Sequence, residues 1–313
     1  MNTCGHAEIA ELVAVLVAVS SSQPRVLTAR VHPHIANLPC GPFQTSHRSL
    51  QAGMRTWVAP HVHDTLGYVE QLYTFADRDR ANWQGQRIIS VSYLGLTREQ
   101  DSPPAQGGIW HDWYRHFPWE DWRDGPPPLL NALQSALQNW VAAAKGRTRD
   151  ARCQRLDYLF PNDHAQWNAD LILQRYELLY EAGLVQEARR GVHQATEPTD
   201  GALATGEAML HDHRRILATG IARLRAKIRY RPVIFELLPP VFTLLQLQQT
   251  FEALTGQRLH KQNFRRLITQ QDLLEETGEM TRGQAGRPAK LFQFRAQIMR
   301  ERAFSGSKLP IAR

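Results

Sequence analysis

The chain has little cysteine, no long apolar run and none of the glycine-rich phosphate loops, and each lack removes a class of answer. Cys4, Cys40 and Cys153 are the only cysteines in 313 residues. Three widely separated thiols give neither a disulfide framework nor a paired-cysteine zinc site, and they read as buried or inert. The longest apolar run, "LVAVLVAV" at residues 12 to 19, falls far short of the roughly 18 to 20 residues that span a bilayer. Glu8 and Glu11 stand before it where an export signal carries Lys or Arg, so the run reads as a buried strand in a cytoplasmic protein. Neither Gly-x-x-x-x-Gly-Lys-Ser/Thr nor Gly-x-Gly-x-x-Gly occurs, so phosphate binding through those loops is unsupported.

What is present is an ordinary globular composition, 42% hydrophobic and 21% charged, with length enough for two domains. The formal net charge of +7 and a pI near 9.6 suit a polyanionic partner, provided the charge is gathered in one place. Residues 11 to 31 hold two β-branched runs around the polar "SSSQP" and predict a hairpin. Residues 48 to 58 predict a short helix with Leu50, Met54 and Trp57 or Val58 on one side, stopped by Pro60. Residues 66 to 77 and 86 to 97 alternate apolar and polar positions and read as strands. The first half is therefore an α/β (α+β) domain.

From Asp101 to Pro128 the chain is rich in Pro, Gly and Trp, which indicates ordered loops packed by aromatics. Leu130, Leu133, Leu137, Trp140, Val141 and Ala144 keep helical spacing, as do Leu171, Tyr176, Leu179 and Tyr180 in a helix ending near Gly183. Residues 187 to 206 lack periodicity and mark a boundary. A helix over 207 to 232, ended by Pro232, carries Arg214, Arg215, Arg223, Arg225, Lys227, Arg229 and Arg231. A solvated connecting face and a phosphate-facing surface both fit that pattern.

The last third reads as a winged helix-turn-helix. Thr243 is an N-cap for a helix with Leu244, Leu247, Phe251 and Leu254 inward and Gly256 at its end. A second helix follows, with Phe264, Leu267, Ile268 and Leu273 as its apolar stripe and Lys261, Gln262, Asn263, Arg265 and Arg266 on its exposed first turns. In helix-turn-helix proteins that part of the second helix meets base edges, and these side chains can make paired hydrogen bonds there. A hairpin over 275 to 295 then offers Arg282, Arg287 and Lys290 to phosphates. The same fold used for protein contacts is the competing reading.

The stretch from Leu38 to Arg80 resembles the signature region of the Nudix fold. Together with "FELLPPVFTLLQLQ", "KQNFRRLI" and "GRPAKLFQFR" it resembles the Nudix-related transcriptional regulators of NAD metabolism, of the NadQ type and more distantly NrtR. The resemblance implies an effector-sensing Nudix-like domain over residues 1 to 206 with an insertion at about 101 to 183. It further implies a connecting helix at 207 to 232, a winged-helix DNA-binding domain at 233 to 300 and a tail at 301 to 313. Placing the glycine of the Nudix box on Gly41 puts His47 where the first Glu belongs, Arg55 on the Arg, and Thr56, Ala59 and Pro60 on the three clustered acids. Those acids hold the Mg²⁺ ions of the hydrolases, so the expectation is a pocket that binds NAD, ATP or ADP-ribose without metal or catalysis. Phe43, Trp57, Tyr73 and Phe75 are candidates to stack a base or to fill the core. Arg48, Arg55 and Arg87 are candidates to pair with phosphates or with acids such as Glu70. The resemblance also implies a homodimer on a palindromic double-stranded operator, with "YVEQLYTF" near the dimer surface.

Two further constellations have ligand-like spacing, His61 with His63 and the group His111, Asp112 and His116, without an evident fourth ligand. The expected function is a transcriptional regulator, a repressor of NAD-biosynthesis genes. The competitors are a divergent Nudix-type pyrophosphohydrolase using Glu70, Asp77 or Asp79, and a nucleotide sensor whose winged helix binds protein.

Overall fold

A computed structural model describes residues 8–32, 35–62, 66–76, 86–99, 107–189, 203–229, 233–281 and 288–296. The predicted hairpin is strand β1 (Ile9–Ser20) and strand β2 (Gln23–His32), in register Val17 to Val26. Its two-residue turn places Ser21 and Ser22 at φ 50° and 60°, the left-handed pair whose twist matches that of the flanking strands. Strands β3 (Ile35–Asn37), β4 (Cys40–Pro42), β5 (Val69–Phe75), β6 (Ile88–Leu96) and β7 (Ile109–Asp112) complete the larger sheet. Its order is β3-β2-β1-β6-β5, with β4 on β1 and β7 on β2, and β1 lies parallel to β6. Alternation was the expectation for β6, yet Ser90 through Leu96 are all buried. A strand between two neighbours with both faces covered has no solvent side.

The two faces of β1 show how the layers form. Leu12, Ala14, Leu16 and Ala18 pack with Met54 and Val58 of helix α1 (Leu50–Val58), while Val13, Val15 and Val17 share a core with Ile216, Leu217 and Ile221 of helix α5 (His213–Ile228). A Cβ on Gly220 would stand 2.9 Å from Val15 Cγ1, so α5 lies hard against the sheet. It begins at residue 213, later than the predicted 207.

Between sheet and α5 the chain inserts helices α2 (Leu130–Ala142), α3 (Gly146–Leu159) and α4 (Ile172–Glu181). The periodicity predicts α2 and α4 and gives no sign of α3. Only Leu156 and Leu159 of α3 are buried, so there is no stripe to read. The aromatics before α2 are core: Trp113, Phe117 and Trp119 are fully buried.

The second sheet, β8 (Phe242–Thr243), β10 (Lys290–Phe294) and β9 (Leu274–Met280) in that order, carries helices α6 (Leu244–Thr255) and α7 (Lys261–Gln270). Thr243 and Gln246 form a reciprocal capping box, and Gly256 ends α6 at φ 72°. Leu247, Leu254, Phe264, Ile268 and Phe294 belong to the same continuous core as Val13, Val15 and Val17 of the large sheet. At roughly 1.5–3 kcal/mol for each fully buried Leu, Val or Phe, that shared core binds the two modules into one body.

Candidate functional site

Helix α7 buries Phe264 and Ile268 and exposes Lys261, Gln262, Asn263, Arg265 and Arg266, as the sequence predicts. Arg266 donates to Asn263 Oδ1 at 2.9 Å, which orders one side of the turn. Leu267, expected inward, is 43% exposed because the buried line runs through 264 and 268 only. Lys290 stands on β10 and pairs with Glu276 at 2.9 Å, so it is a strand cation and not a loop one. Arg282 and Arg287 lie outside the described residues.

The basic helix departs from both expectations. Its described cations have carboxylate partners: Arg214 with Glu187 at 3.2 Å, Arg215 with Glu177 at 2.8 Å and Arg223 with Glu70 at 3.1 Å. Arg225 pairs with Glu120 at 2.7 Å, Lys227 with Glu70 at 2.6 Å and Arg229 with Asp170 at 3.0 Å. Arg214 and Arg225 are buried and Arg215 and Lys227 partly so, whereas Arg223 and Arg229 stay about half exposed, so a solvated face describes part of the helix only; Arg231 lies outside the described residues. Burial alone would raise the Glu70 carboxyl. Hydrogen bonds from Lys227 and Tyr68, with the charges of Lys227 and Arg223, outweigh it and hold Glu70 below the usual range. Arg214 is wholly buried among Phe117, Trp119 and Tyr176, each ring centroid 5.4 Å away, and donates to the carbonyls of His116 and Thr205.

A second buried cluster was not foreseen and joins the halves. Glu120 accepts from Arg175 Nε at 2.5 Å and Arg175 Nη2 at 3.0 Å, and from Arg225 Nη1 at 2.7 Å; all three side chains are at most 1% exposed. Arg225 also donates from Nε to the carbonyl of Leu254 at 2.8 Å, and the Tyr114 hydroxyl donates to the carbonyl of Ala253 at 2.8 Å. Burial pushes the Tyr114 phenol up to about 12, so it stays a donor. Trp122 N–H donates to Gly256 O at 2.7 Å. The last turn of α6 is thereby held by the insertion and by α5. A Cβ on Gly256 would overlap the Glu120 carbonyl, so only glycine fits there. The only sequence signal was the pair of acids between the tryptophans of "PWEDW".

At the Nudix-like site, β4, a turn and α1 keep the strand–loop–helix frame. Gly41 lies beneath the Trp57 indole, where any Cβ would collide, and Trp57 Nε1 donates to Pro42 O at 3.1 Å. His47 accepts from the Gln44 N–H at 3.0 Å and stacks obliquely on Phe43 with ring centroids 5.8 Å apart. Arg55 donates to Leu66 O at 2.7 Å, Thr56 donates to Ala52 O, and Ala59 and Pro60 are exposed. Phe43 N–H donates to Ala10 O and Arg87 O accepts from Ile9 N–H, so Phe43 and Arg87 flank the start of β1 on its two sides, with β1 between them. Arg48 is exposed, and Tyr73 is 60% exposed. Arg87 donates to Ala76 O at 2.9 Å. Of its two readings Phe75 takes the core one, against its place among the effector-binding candidates: it is 2% exposed under Arg215, whose guanidinium lies 5.6 Å from its ring. A cavity of about 300 Å³ lies elsewhere, between α5 and the winged helix, lined by Ile228, Arg229, Ile234, Phe251, Ile268 and Phe294 among others.

The ligand-like histidines are not brought together. Asp112 caps the turn by accepting from Tyr114 N–H at 2.9 Å, and His111 contacts Arg115 at 3.0 Å. His116 donates from Nδ1 to Glu207 O at 2.8 Å; burial pushes it down to about 4, and its Nε2 is buried without a hydrogen-bond partner among the described residues. His61 is buried and His63 lies outside the described residues. Among the described residues no three metal-ligating side chains converge, and no helix is long and apolar enough to cross a membrane. Cys40 is half-buried and Cys153 exposed, so burial, one half of the expectation, does not hold for Cys153.

An α/β domain joined through α5 to a winged helix is the arrangement that this chain shares in fold with Shewanella oneidensis NrtR. Residues 234–294 match the NrtR DNA-binding winged helix domain family, and these residues form a winged helix of that type. The chain is 38% identical over 86 residues to the ADPR responsive transcriptional repressor NtrR of Acinetobacter baylyi; the match covers 28% of this chain and 34% of that protein. It thus spans about a third of the length of that curated relative. The fold is similar to crystal structures of Shewanella oneidensis NrtR, alone (20% identical, 91% of this chain and 94% of that one, TM-score 0.53) and complexed with a 27mer DNA (21%, 92% and 94%, TM-score 0.50). A MutT/nudix family protein from Enterococcus faecalis is similar over 94% of this chain and 89% of its own, at 16% identity and TM-score 0.50.

Proposed function

We propose that the chain is a cytoplasmic, dimeric DNA-binding repressor of NAD-biosynthesis genes, released from a palindromic operator by ADP-ribose or, in its place, NAD or ATP. The single observation that carries the reading is α7. In a segment that matches a DNA-binding winged helix family, Lys261 and Arg265 stand exposed without an acid partner among the described residues, beside Gln262, Asn263 and Arg266. The relative's name supports ADP-ribose as the first effector to try. The Nudix-like domain is read as a sensor and not a hydrolase because Thr56, Ala59 and Pro60 put no carboxylate at the positions of the three clustered acids. Glu70, the described acid of the hydrolase alternative, is tied to Lys227 and Arg223; Asp77 and Asp79 lie outside the described residues.

An effector acts here only through different affinities for DNA-competent and DNA-incompetent arrangements. The route supported best runs from the sheet through α5 to Arg225 and the last turn of α6. The test is fluorescence anisotropy with DNA upstream of the NAD-biosynthesis genes of the source genome, with and without each nucleotide. Tight, salt-sensitive binding released by one nucleotide is expected. Absence of sequence preference in every condition overturns the reading, and Mg²⁺-dependent turnover of ADP-ribose lost on changing Glu70 would restore the hydrolase.

A further inference from the structure

We infer that the far end of the α2–α3 hairpin is a second phosphate-contacting surface, which grips the DNA backbone beside the operator. The inference rests on the DNA-binding reading and extends it to a part of the chain outside the winged helix.

The first ground is where uncommitted positive charge is left. The described cations of α5 have acid partners, and Arg25, Arg87, Arg115, Arg123, Arg155, Arg175, Arg258, Lys290 and Arg295 are ion-paired as well. Lys145, Arg147 and Arg149 are exposed and have no acid partner among the described residues, a property they share with Lys261, Arg265 and Arg266 of α7 and with Arg48 before α1; only the first group gathers three of them within five residues outside the winged helix. Arg152 lies 3.9 Å over the Trp140 ring and donates to Trp140 O at 3.0 Å, which orients it without neutralising it. From 145 to 155 the sequence "KGRTRDARCQR" sets five cations against the single acid Asp150.

The second ground is that α3 bears these charges at its own expense. Its first turn has no acidic residue and two arginines facing the positive end of its dipole, an arrangement that weakens an exposed helix by roughly 0.3–1 kcal/mol per charge. Packing does not demand them, since the buried residues of α3 are Leu156 and Leu159 at the other end. Residues 145 to 152 include no large apolar side chain to enter a bilayer, which favours a nucleic acid over a membrane.

The third ground is position. The loop leading into the hairpin is fastened to the turn that starts the recognition helix: Trp122 N–H donates to Gly256 O at 2.7 Å, and Arg258 donates to Arg123 O at 3.1 Å and to Asp124 at 3.3 Å. Helix α2 leaves that anchor and runs 13 residues to the basic end, or about 20 Å. That reach corresponds to about six base pairs of duplex at roughly 3.4 Å each.

The experiment measures the affinity of the full chain against salt on a duplex limited to the operator and on one with about ten extra base pairs on each side. It compares the natural chain with the triple variant Lys145→Gln, Arg147→Gln, Arg149→Gln and with Lys261→Gln, Arg265→Gln. On the long duplex the triple variant should bind roughly 10- to 100-fold more weakly near physiological salt and lose about 2–3 from the log–log salt slope, near 0.9 per phosphate. On the short duplex it should match the natural chain, and discrimination between operator and random DNA should not change. Removing cations from that end of α3 favours the helix, so loss of fold is not expected; the natural chain's preference for the long duplex tests the idea without any variant. Equal affinity for both duplexes, or an unchanged slope in the triple variant while the α7 variant loses its own, overturns this inference alone. A natural chain with no salt-dependent DNA binding on either duplex overturns the underlying reading.

Discussion

Replacing Glu120 by Gln removes one charge and strands two. Both oxygens of Glu120 are engaged by Arg175 and Arg225, and none of the three side chains is more than 1% exposed. The glutamine keeps the shape and one acceptor, but leaves two buried guanidinium groups without the carboxylate they share. Removing one partner of a buried pair costs about 3–5 kcal/mol, and two arginines share this one acid, so the upper part of that range is expected. At roughly 2–4 °C per kcal/mol for large domains, thermal unfolding followed by circular dichroism should move down by about 10 °C or more. Arg225 also holds the carbonyl of Leu254, so the winged helix should lose its common transition with the sheet and melt first. A double-mutant cycle with Arg225→Met isolates the pair and should give a coupling of about 2 kcal/mol or more. A loss below about 1 kcal/mol, or additive single effects, would refute the claim that this carboxylate organises the junction.

Four other outcomes follow from the same geometry. Lys261→Ala with Arg265→Ala should weaken DNA binding across all sequences and flatten its salt dependence, read by anisotropy, while leaving the melting temperature within about 1 °C, since both are exposed. Gly41→Ala should destabilise by about 1–3 kcal/mol because its Cβ meets the Trp57 indole, and Gly41→Ala/Trp57→Leu should recover part of that in urea titrations. His116 is held neutral with its pKa near 4 against an unfolded value near 6.5. Its folded pKa is depressed, so its contribution is complete above about 6.5 and fades as the pH falls to 4, by up to about 3 kcal/mol; His116→Gln should flatten stability over that window. The Glu70 carboxyl, held low by Lys227 and Tyr68, contributes above its unfolded pKa and loses that contribution on further acidification, so Glu70→Gln should show a shallower acid-side decline below pH 4.5.

Local patterns were the legible part of the sequence. The β1–β2 hairpin, α1, α2, α4 and α6 with its Thr243 cap each announce themselves within a dozen residues through periodicity or capping chemistry. The exposed set on α7 was legible because Phe264 and Ile268 fix which side faces out. Helix α3 was not, since a helix polar nearly all round has no period. The partners of α5 were also hidden: Glu70, Glu120, Asp170, Glu177 and Glu187 come from distant segments, and a run of arginines looks the same whether its acids are 38 residues away or absent. Phe75 and Tyr73 show the same limit on one strand. They are two positions apart and alike in type, and only the covering helix makes the first core and leaves the second open.

Gly256 sits where the end of α6 touches the Glu120 carbonyl and the Tyr114 hydroxyl. The winged helix is therefore keyed to the insertion like a tenon to its mortise, and the two cannot change independently over evolutionary time. A chimera that takes residues 234–294 from a relative without the 114–124 loop would meet an unmatched socket. An isolated winged helix would leave the last turn of α6, where Arg225 now holds the Leu254 carbonyl, without that donor. Change is thereby channelled to the exposed positions of α7, the DNA-reading surface of the proposal, where substitutions leave the joint untouched.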